Sequence, residues 1–139
     1  MDTDTVTLFQ HGNPEIAQRA QAIGNSNIFI TTVTLEEQMR GRLAVIQKNH
    51  ANPDKLIVAY SNLRQTQAFF CWVNLLDFDT TALNYYQTWR QQKVRIGSQD
   101  LKIAAIAIAN QAIIVTRNRR DFGQVPGLYI EDWTVPQLP

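Results

Sequence analysis

The chain has 139 residues, 45% hydrophobic and 18% charged, which fits a single globular domain built on one core. Thirteen Lys and Arg against twelve Asp and Glu leave a net charge of +1, so bulk charge alone points to no polyanionic partner. A lone cysteine excludes an internal disulfide and a cysteine zinc cluster, and no apolar run approaches the roughly 18 residues of a membrane span.

In chain order, Met1-Asp2-Thr3-Asp4 is not a secretory signal, so a cytoplasmic protein is expected. Residues 28–33, rich in β-branched and aromatic side chains, predict a strand. Thr34 is placed to cap the helix that follows, with Glu36 and Glu37 in its first turn and an end near His50. Asn52-Pro53 has the form of an N-cap followed by proline at the first helical position. The long helix after it carries Leu56, Ala59, Tyr60, Leu63, Phe70 and Trp72, and Cys71 is expected to be a buried small apolar residue. Residues 73–78 predict a second strand, and Asp79 caps a helix with Leu83, Tyr86 and Trp89. Gly97-Ser98 breaks that pattern. Residues 101–110 are apolar nearly all round and predict a buried helix, led by Asp100. The apolar run 112–115 reads as a strand covered on both faces, and 128–130 as a last short strand.

Strands alternating with helices predict an α/β fold with a mainly parallel sheet, in which functional groups collect at the C-terminal ends of strands. The acids fall there: Asp2 and Asp4 at the start, Glu36 and Glu37 after the strand 28–33, and Asp121, with Asn118, after the strand 112–115. Asp100 precedes that last strand by one helix. Singly, each acid has a bland reading as a helix-start or turn residue. His11 and His50 read as surface residues, and Trp72, Trp89 and Trp133 as packing residues.

Taken together, the segments are more specific. Gly97-Ser98-Gln99-Asp100, Ile103-Ala104-Ala105, Val115-Thr116-Arg117-Asn118, Asp121-Phe122 and Val125-Pro126-Gly127-Leu128 resemble the C-terminal half of a PIN domain of the VapC toxin family. Asp2-Thr3-Asp4-Thr5 resembles that family's opening element, and residues 34–41 its Glu-containing helix start, where the acid four residues before Gly41 is Glu37. The resemblance implies one PIN domain over residues 1–139, a three-layer α/β/α sandwich with a mainly parallel central sheet. It implies an endoribonuclease, with Asp2, Glu37, Asp100 and Asp121 as ligands of Mg²⁺ or Mn²⁺ and Thr116 and Asn118 in support. It implies RNA as substrate, a small antitoxin of the VapB type as partner, and a homodimer. Carboxylates forced together repel one another unless a cation lies between them, and hard oxygen ligands suit these ions. Arg40, Arg95, Arg117, Arg119 and Arg120 interleave with the acids and are candidates for RNA phosphates. Tyr85, Tyr86 or Trp89 could stack a base.

Only Met1 precedes Asp2, where the family carries several apolar residues forming the central strand. A shortened strand predicts a loosely held Asp2, weakened metal binding and Asp4 as a substitute ligand. A degraded PIN domain that binds RNA or a protein without cutting is the alternative. A haloacid-dehalogenase-like phosphatase also fits Asp2-Thr3-Asp4-Thr5-Val6, but its later acidic pair has a counterpart only in Glu131-Asp132 near the tail.

Overall fold

Residues 1–136 are described by a computed structural model. The elements run α1 (Thr3–Gln10), α2 (Pro14–Ile23), β1 (Phe29–Thr31), α3 (Thr32–Lys48), α4 (Pro53–Trp72), β2 (Asn74–Leu76), α5 (Thr80–Gln91), α6 (Ser98–Ala109), β3 (Ile114–Val115), α7 (Arg119–Phe122) and β4 (Ile130–Glu131). β1 pairs with β2 and β3 with β4, both in parallel. Met1 and Asp2 join the two pairs: the Met1 nitrogen donates to the Phe29 carbonyl at 3.2 Å and the Asp2 N–H to the Val115 carbonyl at 3.0 Å. These two residues thus bridge the two parallel strand pairs.

The sheet separates two apolar layers, because successive strand residues face opposite sides. Ile30 and Val115 point into a cluster with Val6, Ile16, Ala20, Phe70 and Trp133, under α1, α2 and the end of α4. Ile114 points the other way, among Leu101, Ile103, Ile106, Trp89 and Phe122, under α5, α6 and α7. Helix α6 is buried at Leu101 and from Ile103 through Ala107, as its all-round apolar sequence predicts. This is the expected three-layer arrangement, with strands only two or three residues long.

Local signals explain most boundaries. Asn52 caps α4 by accepting from the Lys55 N–H at 3.2 Å, and Asp79 caps α5 by accepting from Ala82 at 2.9 Å. Four expectations differ from what is found. The first strand ends at Thr31, and α3 begins at Thr32, so Val33 is helical and Glu36 and Glu37 lie beyond the first turn. Its cap is Thr31 rather than Thr34: Thr31, in extended backbone, accepts from the Thr34 N–H at 3.2 Å, and the Thr34 hydroxyl is engaged elsewhere. Cys71 and Trp72 are exposed, Trp72 at 61%, because α4 buries only the narrow stripe Ala59, Thr66 and Phe70 and the next two residues rotate away from it. Residues 3–23, unassigned from sequence, form two helices. The second opens on Asn13-Pro14, the same cap-and-proline signal as Asn52-Pro53.

Candidate functional site

Asp2 sits at the start of α1 and is 5% exposed. Its Oδ1 caps α1, accepting from the Thr5 N–H at 2.9 Å, and its Oδ2 accepts a hydrogen bond from the Thr116 hydroxyl at 2.5 Å. The expectation of a loosely held Asp2 therefore fails: backbone pairing to β3 and two side-chain bonds fix it despite the short strand. Thr116 follows β3, and its Oγ1 also accepts from the Asn118 N–H at 2.9 Å. Asn118 caps α7, its Oδ1 taking the Asp121 N–H at 3.2 Å and its Nδ2 donating to Asp121 Oδ2 at 2.9 Å. An unbroken chain of hydrogen bonds thus links Asp2, Thr116, Asn118 and Asp121.

The turn carrying Asp121 is held by packing and by two glycines. Phe122 is fully buried. A Cβ on Gly123 would stand 2.5 Å from the Arg119 carbonyl oxygen. Gly127 has φ +75° in the Val125-Pro126-Gly127-Leu128 turn, a left-handed position that glycine adopts without a steric cost.

Glu37, on α3, accepts from the Thr3 hydroxyl at 2.7 Å, and Thr3 Oγ1 lies 2.9 Å from Thr34 Oγ1. Asp100 lies in the first turn of α6, where Gly97 provides no side-chain cap. Its carboxyl is pushed up to about 6, first by burial and then by the charges of Asp2, Glu37 and Asp121. Asp2, Glu37 and Asp121 are therefore electrostatic neighbours of Asp100, although the four come from separate parts of the fold. Asp2, Glu37 and Asp100 line an open cleft of about 660 Å³ with Thr3, Asp4, Thr7, Arg117 and Asn118, while Asp121 is not part of that lining.

The remaining candidates are dispersed. Asp4 is half-exposed and pairs with Arg117, its Oδ2 accepting from Nε at 3.0 Å and from Nη2. Arg40 is exposed and paired with Glu36, itself bound to Gln99. Arg95, Arg119 and Arg120 are exposed. Trp89 is 4% exposed and closed to stacking, and Tyr86 is flanked by Arg90 and Lys102 at 6.0 and 5.9 Å from its ring centre. His11 and His50 are exposed. The sequence reading missed Thr3, Thr7 and Thr34 as site residues. Thr3 was accessible in principle, since it directly follows an acid that caps a helix.

The donor set suits a divalent cation of the hard kind. Asp2, Glu37 and Asp121 each accept a hydroxyl or amide donor, and Asp100 bears an electrostatic cost from these three acids that a cation would relieve. Among the described residues, no group of three acidic, His or Cys side chains is already arranged to hold an ion.

The PIN domain family model matches residues 3–128 of the chain. The chain is 28% identical over 137 residues to the tRNA(fMet)-specific endonuclease VapC of Salmonella typhimurium, with 96% of each covered. It is 32% identical over 113 residues to Ribonuclease VapC2 of Rickettsia felis, covering 78% of this chain and 76% of that one. It superposes on the DNA-bound VapBC structure from Salmonella typhimurium with a TM-score of 0.75 at 26% identity, covering 95% of both chains. The fold is also that of VapBC-1 from nontypeable Haemophilus influenzae, at a TM-score of 0.74 and 22% identity, covering 94% of this chain and 92% of that one.

Proposed function

The chain belongs to the PIN-domain family, and from that premise we propose that it is a VapC-type endoribonuclease, the toxin of a type II toxin–antitoxin pair. Residues 1–139 act as one PIN domain. The observation that carries the reading is that Asp2, Glu37 and Asp100 line one cleft while Asp121 acts on Asp100 from beside it, so that burial and these three neighbours push Asp100 up to about 6. Relatives similar over most of their length are named ribonucleases or endonucleases.

Mg²⁺ or Mn²⁺ would be held by Asp2, Glu37, Asp100 and Asp121, directly or through water. Such an ion, when bound, supplies Lewis acidity toward a phosphoryl oxygen and lowers the pKa of water. The chain's own residues do the rest. Thr116, Thr3 and Asn118 donate to Asp2, Glu37 and Asp121, which fixes those carboxylates. Asp100 gives up its proton only around pH 6 in the metal-free site, and a bound cation would favour its charged form. Exposed Arg95, Arg119 and Arg120 provide positive charge for RNA phosphates around the acids.

The partner is a small antitoxin of the VapB type, as in the VapBC structures that this fold matches. The protein works as a homodimer in the cytoplasm. Exposed apolar side chains on α3 and α4, including Leu43, Ile57, Val58, Tyr60 and Trp72, offer surface for these associations.

Purified protein incubated with total RNA in Mn²⁺ or Mg²⁺ should cleave it, EDTA should stop the cleavage, and Asp100→Asn should lower it by roughly a hundredfold or more. A folded wild type that leaves RNA intact would favour the non-catalytic alternative. Cleavage that survives both EDTA and Asp100→Asn would sink the metal site.

A further inference from the structure

Arg117 is the one cation among the residues lining the acidic cleft. It follows β3 directly, between Thr116 and Asn118, both of which belong to the bonded chain ending on Asp2 and Asp121. Of the four acids that crowd together, only Asp2 acts on Arg117, after the charges of Asp4 and Asp132. Its guanidinium is held by Asp4, which lines the same cleft. Nε and Nη2 both donate to Oδ2 of Asp4, on the first turn of α1, and Nη1 donates to nothing among the described residues.

We propose that Asp4 is a tether rather than a ligand: it holds Arg117 at the rim, keeping the cleft open to a cation and presenting the free edge of the guanidinium to an RNA phosphate. This rests on the nuclease reading above and deepens it by giving Arg117 the phosphate and Asp4 the positioning role. Three observations carry it. Asp4 is turned to Arg117, and its side chain is 58% exposed, unlike buried Asp2. Arg117, 49% exposed, uses one edge of its planar fork on Asp4 and keeps the other free, and such a fork matches two phosphate oxygens. An exposed pair of this kind contributes little to stability, so it can reorganise when an anion arrives.

The test is a double-mutant cycle with two readouts, Mn²⁺ affinity by calorimetry and RNA cleavage under single-turnover conditions. Asp4→Asn should release Arg117 into the cleft and weaken Mn²⁺ binding about tenfold. Adding Arg117→Ala should restore wild-type affinity or better, because the competing cation is gone. If Asp4 is a ligand, the double variant binds Mn²⁺ no better than Asp4→Asn, and the proposal falls. In cleavage, Arg117→Ala should cost roughly ten- to a hundredfold in the rate of the chemical step, with Asp4→Asn adding nothing on that background. Arg117→Ala cleaving as the wild type would also overturn the proposal. The metal readout stands without catalysis, so a failed nuclease reading and a failed tether are separable. Unchanged melting temperatures in all variants would confirm that folding is not what moves.

Discussion

Asp100 concentrates the electrostatic cost of the site. Its carboxyl is raised from an ordinary 3.8 to about 6, so between those values the metal-free folded protein holds a proton that the unfolded chain has released. This group's contribution to stability is therefore unchanged below about 4, declines as pH rises from about 4 to about 6, and stays unfavourable above. In EDTA, thermal unfolding should show Asp100→Asn more stable than wild type at pH 7.5 and lacking that decline. Mn²⁺ should raise the wild-type melting temperature at pH 7.5, and this gain should shrink as pH falls through about 6. A metal effect independent of pH in this window would remove Asp100 from the ion's surroundings. Cys71 carries a different lesson at the same scale. Its apolar sequence neighbours suggested burial, but only Phe70 is buried and Phe69 partly so, and Cys71 accepts a bond from Gln67 at the surface.

At the scale of elements, short polar signals decide where helices begin, and several of those signals belong to the site. Asp2 and Asn118 each cap a helix and line the cleft, while Thr31 caps α3 and reaches the cleft only through Thr34 and Thr3. Asp79 is a cap with no role in the cleft, and so isolates the structural effect. Asp79→Ala should destabilise the protein by about 1 kcal/mol by freeing the Ala82 N–H, and leave metal affinity unchanged. Chemical denaturation beside a Mn²⁺ titration checks both halves, and a change in metal affinity would mean that α5 also sets the cleft geometry. The α3 boundary shows why caps are hard to rank. Thr31, Thr32 and Thr34 all offer hydroxyls, and the choice falls to Thr31 because Thr34 is drawn to Thr3 on a different helix.

Across the whole molecule, the middle of the sheet is flanked by open space. A groove of about 390 Å³ opens beside Met1, between the starts of β1 and β3, lined by Phe29, Ile103, Ala107, Ile114 and Val115 among others. Ile114 and Thr116 donate their N–H groups to β4, at 2.9 Å each, so alternation turns the Val115 N–H toward this groove. Four alternately apolar residues fused ahead of Met1 should lie there as strand, raising the melting temperature by about 3–5 °C, and slowing exchange of the Val115 amide. A Gly-Ser extension of equal length is the control, and equal melting temperatures for the two would show that the groove does not take a strand.

The sequence by itself determined the alternation of strands and helices, the buried character of α6, and the caps at Asn52 and Asp79. These rest on periodicity and on bonds spanning three or four residues, which a chain carries wherever it is packed. Only the tertiary structure decided how Asp2 is held, which threonines orient the acids, where Arg117 is directed, and how far Asp100 is perturbed. The bond from Thr116 to Asp2 crosses 114 positions and that from Thr3 to Glu37 crosses 34. Such contacts depend on the relative placement of whole elements, and so does the field on Asp100, which sums charges from three other parts of the fold.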